Sequence, residues 1–334
     1  MNRSSTENGR QGALLLNFGG PETLADIRPF LYNLFSDPEI IRIKSDVPRK
    51  LLAWTISWAR LNRSRGLYRQ IGGGSPLVRI TGDQAAAVRA LLASRGHQVG
   101  IYIGMRCWKP TIDDAMDRIM KDNIRHLVLL PLFPQYSMTT TGSCFRHIEL
   151  LNDRFDLSSR MKISRVEHWY DCSLYIQAMT EMVRAALKRF HEGDCRDVHL
   201  LYSAHSLPAR CIEEGDPYLE QTKKTVMSIS SQLNIPNESS LAFQSRAGPV
   251  KWLGPDTEDV LTDLAGRGVR RVLIIPVSFV SDHVETLQEI DIRYRKLAEG
   301  LGIEEFRRVE SLNLQPKFIE ALAEIIKNHL APGA

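Results

Sequence analysis

The chain has 334 residues, 25% of them charged and 43% hydrophobic, with a net charge of +4. That length allows two domains with separate cores, and the ordinary composition excludes fibrous, low-complexity and disordered classes. No apolar run approaches the ~18 residues needed to cross a bilayer, and the polar stretch Met1–Gly12 lacks the apolar core of a secretory signal.

A cytoplasmic protein with no nucleic-acid partner is therefore expected. The five cysteines (107, 144, 172, 195 and 211) include no CxxC pair. They read as reduced thiols rather than a disulfide frame.

In chain order, Ala13–Asn17 reads as a buried strand that opens into Phe18-Gly-Gly-Pro21. Ile27, Phe30, Leu31 and Leu34 recur at helical spacing, which predicts a helix from Thr23 to about Ser36. Residues 41–80 then hold nine Lys or Arg against one acid, Asp46. Within that window Leu51, Leu52, Trp54, Ile56, Trp58 and Leu61 interleave with Arg49, Lys50, Arg60, Arg63 and Arg65. Tryptophan and arginine on a short helix suit a membrane surface or an apolar ligand. The alternative is a solvated helix that packs its tryptophans inward.

Gly72-Gly-Gly-Ser-Pro76 breaks the chain before a helix through Leu92. Strands follow at Val99–Ile103, ending in Gly104-Met-Arg-Cys-Trp108, and at His126–Leu130, ending in Pro131-Leu-Phe-Pro-Gln-Tyr136, with a helix over 112–122 between them. The pattern is interrupted near 155–165 and then resumes. Helices are predicted over 173–191, 216–233, 257–267, 284–300 and 316–330, and strands over 198–202, 241–244 and 272–277. Alternating strands and helices in two successive runs predict two α/β units, each with a parallel sheet flanked by helices. Neither Phe18-Gly-Gly-Pro nor Gly72-Gly-Gly-Ser is a phosphate-binding fingerprint, and both read as tight turns.

Two strand ends carry ionisable groups. His205 follows the strand at 198–202, where open α/β sheets place ligand chemistry. Asp282, His283 and Glu285, with Glu289, follow the strand at 272–277. On an α-helix 282, 285 and 289 share one face, and three such carboxylates call for a cation or protons to offset their repulsion. The competing readings are a loop-capping histidine and a solvated acidic face.

At these residues the chain resembles the ferrochelatases. The likeness rests on Leu14-Leu-Leu-Asn-Phe-Gly-Gly-Pro-Glu-Thr23, Gln70-Ile-Gly-Gly-Gly-Ser-Pro76, Pro134-Gln-Tyr-Ser137 and Ser203-Ala-His-Ser-Leu-Pro208. It extends to Gly215-Asp-Pro-Tyr218, Gln244-Ser245, Trp252-Leu-Gly-Pro255 and Ser281-Asp-His-Val-Glu285, in family order from about residue 12 to 330. The resemblance implies two Rossmann-like domains of the class II chelatase type, with porphyrin in the cleft between them. It implies an N-terminal domain over 12–160 with a porphyrin lip at 44–69, a second over 161–314, and a closing helix within 315–334 that packs on the first.

It further implies His205 and Glu285 as catalytic, metal-facing residues, with Asp282, His283 and Glu289 as their acidic surroundings. Phe18, Tyr68, Arg69, Ser75, Arg106, Tyr136, Gln244, Ser245 and Trp252 are implied as porphyrin contacts. The implied reaction is insertion of Fe²⁺ into protoporphyrin IX to make protohaem. Coproporphyrin III or cobalt insertion, and a non-catalytic porphyrin carrier, are the alternatives. Peripheral attachment to the inner face of the cytoplasmic membrane is implied by the lip. No [2Fe–2S] cluster is expected, because no cysteine follows Cys211 and Met138 stands near the internal ligand's place. Cys107 departs from the tyrosine that many relatives carry after the arginine.

Overall fold

The computed structural model describes residues 10–190, 195–246, 248 and 250–331. Contacts divide the chain into two compact units. One takes the chain up to Phe133, Met138–His168 and the chain from Phe318 onward; the other takes Pro134–Ser137 and Trp169–Lys317.

The first unit is built on β1 (Arg10–Asn17), α1 (Ile27–Ser36), α2 (Asp46–Arg69), α3 (Leu77–Ser94), β2 (Val99–Met105), α4 (Ile112–Lys121) and β3 (Ile124–Pro131). A π-helical turn, Met138–Gly142, leads into α5 (Ser143–Leu150), the short α6 (Asn152–Phe155) and α7 (Leu157–Arg160), and β4 (Lys162–Arg165). The four strands are parallel, in the order β2-β1-β3-β4.

The second unit repeats this plan. It contains α8 (Ser173–Leu187), β5 (His199–His205), α9 (Ala209–Glu213), α10 (Tyr218–Leu233), β6 (Ser239–Gln244), α11 (Thr257–Gly266) and β7 (Arg271–Pro276). A π-helix, Glu285–Tyr294, runs into α12 (Arg295–Gly300), and β8 (Glu305–Arg308) completes a parallel sheet ordered β6-β5-β7-β8. Helix α13 (Pro316–Leu330) closes the chain.

The central strands are apolar on both faces because helices cover both. Ala13–Leu16, Leu127–Leu130 and Val272–Ile275 are fully buried, as expected of parallel sheets. Leu14, Leu16 and Leu129 pack against Ile112, Met116, Ile119, Phe145 and Ile148 of α4 and α5. In the second unit Leu201, Val272 and Ile274 meet Leu261, Leu264, Ile290, Tyr294 and Ala298.

The sequence reading leaves out β4 and β8. Both are four-residue edge strands, Lys-Ile-Ser-Arg and Glu-Phe-Arg-Arg. Charge on an edge protects it from pairing with other chains and removes the apolar run that would reveal a strand. The helix expected over 173–191 ends at Leu187, and His191 lies outside the described residues. The helix expected from Thr23 begins at Ile27, because Asp26 accepts the Thr23 N–H at 2.9 Å and its hydroxyl at 2.8 Å in a preceding turn.

Helix α2 overturns the inward-packing alternative. Arg49, Ala53, Ser57, Leu61 and Tyr68 face the protein, whereas Trp54 and Trp58 are each 51% exposed, alongside Val47 and Leu51. Val47, Leu51, Trp54 and Trp58 follow one another at spacings of four, three and four, which places them on one helical face. The guanidinium of Arg28 lies 4.8 Å from the Trp58 ring centroid.

The two glycine-rich turns meet within the first unit. The Ser75 N–H donates to the Pro21 carbonyl at 2.7 Å, and a Cβ placed on Gly74 would fall 2.0 Å from the Glu22 carbonyl oxygen. Gly74→Ala therefore forces backbone apart from backbone. The expected loss is about 3 kcal/mol, read as a lowered midpoint in urea unfolding, and an unchanged midpoint would refute this packing account.

Candidate active site

In an open parallel sheet, ligands bind where neighbouring strands send their connections to opposite sides. In the second unit β5 lies between β6 and β7, so the switch point falls between the carboxyl ends of β5 and β7. His205 is the last residue of β5, and the segment after β7 carries Ser278, Phe279, Asp282, His283 and Glu285. The fold thus brings together groups eighty residues apart.

His205 Nδ1 lies 3.0 Å from Glu285 Oε2, and His283 Nε2 lies 3.5 Å from the same oxygen. The His283 Nδ1–H donates to the Ser281 carbonyl at 3.0 Å, which leaves Nε2 facing the carboxylate. The Phe279 ring packs 4.6 Å from His283 and 6.1 Å from His205, centroid to centroid. The His205 and Glu285 side chains remain 35% and 26% exposed, so the centre is open to solvent on one side.

Burial alone would push the His205 imidazole down. The Glu285 carboxylate beside it, and Glu289 beyond, reverse that and raise it above the ordinary histidine value. Burial acts on Glu285 in the opposite sense, but His205 and His283 hold it far below the usual carboxylate range. Their pairing favours the ionised carboxylate on Glu285 and the protonated form of His205.

Glu289 occupies a different position from the one its spacing suggests. It accepts from Gln244 Nε2 at 3.1 Å, from the Tyr294 hydroxyl at 3.1 Å, from Arg293 Nη1 at 3.4 Å and from Ser245 Oγ. Burial and the Glu285 charge raise its pKa, and the Ser245, Gln244 and Tyr294 donors oppose that rise. Gln244 is fully buried; besides Glu289, its amide meets the Ser203 hydroxyl at 2.7 Å and the Glu285 carbonyl at 3.3 Å. The Gln244 side chain, expected against porphyrin, has no exposed surface. Its side chain is enclosed and braces the two glutamates.

The expectation of three carboxylates on one α-helical face also fails. Asp282 precedes the helix, and the ten residues from Glu285 to Tyr294 are π-helical, with the Arg295 N–H reaching the Ile290 carbonyl. Such wide turns are rare and often occur at functional sites. Asp282 instead accepts from Arg308 Nη1 at 3.0 Å, Ser311 Oγ at 2.9 Å, Thr286 Oγ1 at 3.1 Å and Asn313 Nδ2 at 2.7 Å. Burial would raise it, but Arg308 and these donors lower it overall. Asp282 anchors the loop that presents His283 and Glu285.

Other expected contacts belong to each unit separately. In the second, Tyr136 is partly buried, its N–H donated to Gln221 Oε1 at 2.7 Å, and Trp252 is partly buried beside Pro208. Ser245 sits at φ +67° at the end of β6.

In the first unit, Phe18 follows β1, and its ring lies tilted at 59° and 5.3 Å, centroid to centroid, from that of Phe133, which follows β3. Arg106 follows β2, with Nη2 3.0 Å from the buried Asp37 carboxylate and Nε donating to Ser143 Oγ at 2.8 Å. Tyr68 is buried, Arg69 is exposed, and Ser75 Oγ accepts the Leu77 N–H at 3.3 Å. Sequence reasoning missed Asp37, Ser143, Arg308 and Asn313, which no local pattern distinguishes. It also left Ser278 and Tyr218 without a role, although Tyr218 stands in a quoted motif.

Among the described residues, no three His, Cys, Asp or Glu side chains converge as a preformed metal cage. Glu285 is bonded to His205 at 3.0 Å and lies 3.5 Å from His283.

The ferrochelatase family model matches residues 10–330. The ferrochelatase of Gloeothece citriformis is 48% identical over 327 residues, covering 98% of this chain and 84% of that protein. The ferrochelatase of Gloeobacter violaceus is 48% identical over 320 residues, covering 96% and 97%. Among solved structures, SirB from Bacillus subtilis with Fe³⁺ superposes with a TM-score of 0.56 at 12% identity, covering 96% of each chain. The sirohydrochlorin chelatase SirB in complex with cobalt, from B. subtilis subspecies spizizenii, gives 0.53 at 13%, covering 96% and 95%. These structural likenesses establish the two-unit chelatase fold.

Asp282→Asn tests the anchoring role. Leaving Arg308 short of one buried partner is expected to cost about 3 kcal/mol, since Asp291 remains. Because the folded Asp282 pKa is depressed, its contribution is complete above the unfolded value near 3.8 and is lost as pH falls through the folded one. The gap between wild type and variant in chemical denaturation should therefore be full at pH 7 and close below pH 4. A gap independent of pH would refute the account.

Proposed function

This chain belongs to the ferrochelatase family, and from that membership and the Glu285 centre we propose that it inserts Fe²⁺ into protoporphyrin IX, giving protohaem. The observation that carries this reading is one ionised carboxylate held between two imidazoles at the carboxyl ends of adjacent parallel strands. The choice of protoporphyrin rests on the likeness of the Phe243–Trp252 stretch to protoporphyrin-using members.

Insertion exchanges two pyrrole protons for one ferrous ion without a change of oxidation state. The protein must therefore attract a divalent cation, give it up again and accept protons. Oxygen and nitrogen donors suit Fe²⁺ and exchange it more readily than thiolates would. Pairing with Glu285 favours the protonated form of His205. A cation arriving at Glu285 weakens that pairing and lowers the proton affinity of His205. His205 then loses its proton to solvent and becomes a neutral base beside the reacting macrocycle. Glu289, bound by four donors, continues the acidic surroundings of Glu285.

Phe18, Tyr68, Arg69, Ser75, Arg106, Tyr136, Ser245 and Trp252 are the proposed porphyrin-facing residues. Arg106 supplies a cation whose direction is set by Asp37 and Ser143. No iron–sulfur cluster is assigned.

The proposed location is the cytoplasm, with a peripheral seat on the inner face of the cytoplasmic membrane. No helix among the described residues is long and apolar enough to cross a membrane. The support comes from α2, whose exposed Val47, Leu51, Trp54 and Trp58 lie among basic side chains. Such a face combines apolar insertion with attraction to anionic lipid.

Two experiments test these readings. In anaerobic Fe²⁺ insertion into protoporphyrin IX, followed by the Soret and Q-band shift, His205→Ala is expected to lose at least about a hundredfold in kcat. Glu285→Gln should lower kcat by a similar factor while porphyrin affinity, from fluorescence quenching, changes little. Near-normal turnover in either variant would sink the assignment. For the membrane seat, Trp54→Ser with Trp58→Ser should abolish flotation with phosphatidylglycerol vesicles and leave insertion into soluble porphyrin intact. Equal flotation would remove α2 from the membrane.

A further inference from the structure

The Gly215-Asp-Pro-Tyr218 stretch has no part in the chemistry above, yet it lies against its centre. The β5–β7 ladder ends at the Ser203–Pro276 pair, followed only by the Val277 N–H donating to the Ser203 carbonyl at 2.9 Å. The next carbonyl on that side, Val277, is already taken by Gln135 Nε2 and the Tyr175 hydroxyl, each at 3.1 Å. His205 therefore has no strand partner on its β7 side. Within a strand, the N–H and C=O of one residue point the same way, so both of its peptide groups need other partners there.

Two side chains supply them. The His205 N–H donates to Ser278 Oγ at 2.8 Å, and the Tyr218 hydroxyl donates to the His205 carbonyl at 2.9 Å. On the other side the β6 ladder continues, with the Ser206 N–H on the Gln244 carbonyl at 2.8 Å.

We propose that Tyr218 and Ser278 are positioning residues that fix the His205 backbone, and with it the reach of its imidazole to Glu285. The rest of the motif serves to aim Tyr218. Gly215, at φ +93°, turns the chain sharply after α9 in a conformation that side chains resist. Asp216 is buried; its carboxylate accepts the Tyr218 N–H at 3.0 Å and the Ser137 hydroxyl at 2.8 Å. Pro217 starts α10, so the phenol projects back from the first turn of that helix. The Tyr218 ring is itself buried, and burial pushes its hydroxyl up, keeping it a donor at every working pH.

This inference rests on His205 acting in metal insertion, as proposed above. The test compares Tyr218→Phe, Ser278→Ala and Ser278→Thr with Tyr202→Phe, which removes another buried hydroxyl on β5, bonded to Ser230 at 2.9 Å. Tyr218→Phe and Ser278→Ala should each lower kcat about tenfold, with KM for protoporphyrin unchanged. Ser278→Thr, which keeps the hydroxyl, should recover most of the rate. Tyr202→Phe should keep wild-type kcat while losing a similar amount of thermal stability. Crystal structures of the first two should show a His205–Glu285 separation lengthened beyond 3.0 Å.

Wild-type kcat in Tyr218→Phe, or a loss no larger than that of Tyr202→Phe, would overturn the positioning role. Wild-type turnover in His205→Ala would instead overturn the reading on which it rests, so the two failures are distinguishable.

Discussion

A carboxylate that stays charged while partly enclosed needs cationic or donor neighbours, and Glu285 draws the second unit together around that need. His205 and His283 stabilise the charge directly. The His283 ring donates to the Ser281 carbonyl, and the His205 peptide groups bond to Ser278 Oγ and the Tyr218 hydroxyl. Gln244 ties the Glu285 carbonyl to Glu289, and Asp282 ties the preceding loop to Arg308 and Asn313. Enclosed polar groups left without partners are costly, and Gln244, Ser245, Tyr294, Arg308 and Asn313 each donate to a carboxylate here. The result is a hydrogen-bonded frame around the His205–Glu285 pair.

The two units share one strand order and differ in what stands at the switch point. In the second it holds ionisable groups. In the first, the segments after β1 and β3 bring together Phe18 and Phe133, and the arginine after β2 is oriented by the buried Asp37. One architecture thus presents a cluster of ionisable groups in one unit and an aromatic pair with a fixed cation in the other. That division of labour matches a reaction whose two substrates are an ion and a flat, apolar ring.

Helix α2 extends the argument to the surface. Its buried side includes Arg49, which donates to the Ser36 carbonyl at 3.0 Å and the Ile43 carbonyl at 2.7 Å. Its exposed side carries the tryptophans. A helix with its apolar stripe turned outward is unusual for a protein surrounded only by water, and reads as a contact surface.

Much was legible from residue order alone. Fully buried parallel strands must be continuous apolar runs, so the central strands of both sheets, the helices between them, and the positions of His205 and Glu285 after two such strands follow from local pattern. The family motifs placed the same residues in one function. Charged edge strands such as Lys162–Arg165 carry no such run and were invisible. Only the tertiary structure decided which polar groups meet. Pairing of β5 with β7 put His205 beside Glu285, turned Asp282 to Arg308, enclosed Gln244, and brought Tyr218 back to the His205 carbonyl. Those partners are tens of residues apart in the chain, and hydrogen-bond direction is set by where the folded strands end, which spacing along a sequence does not encode.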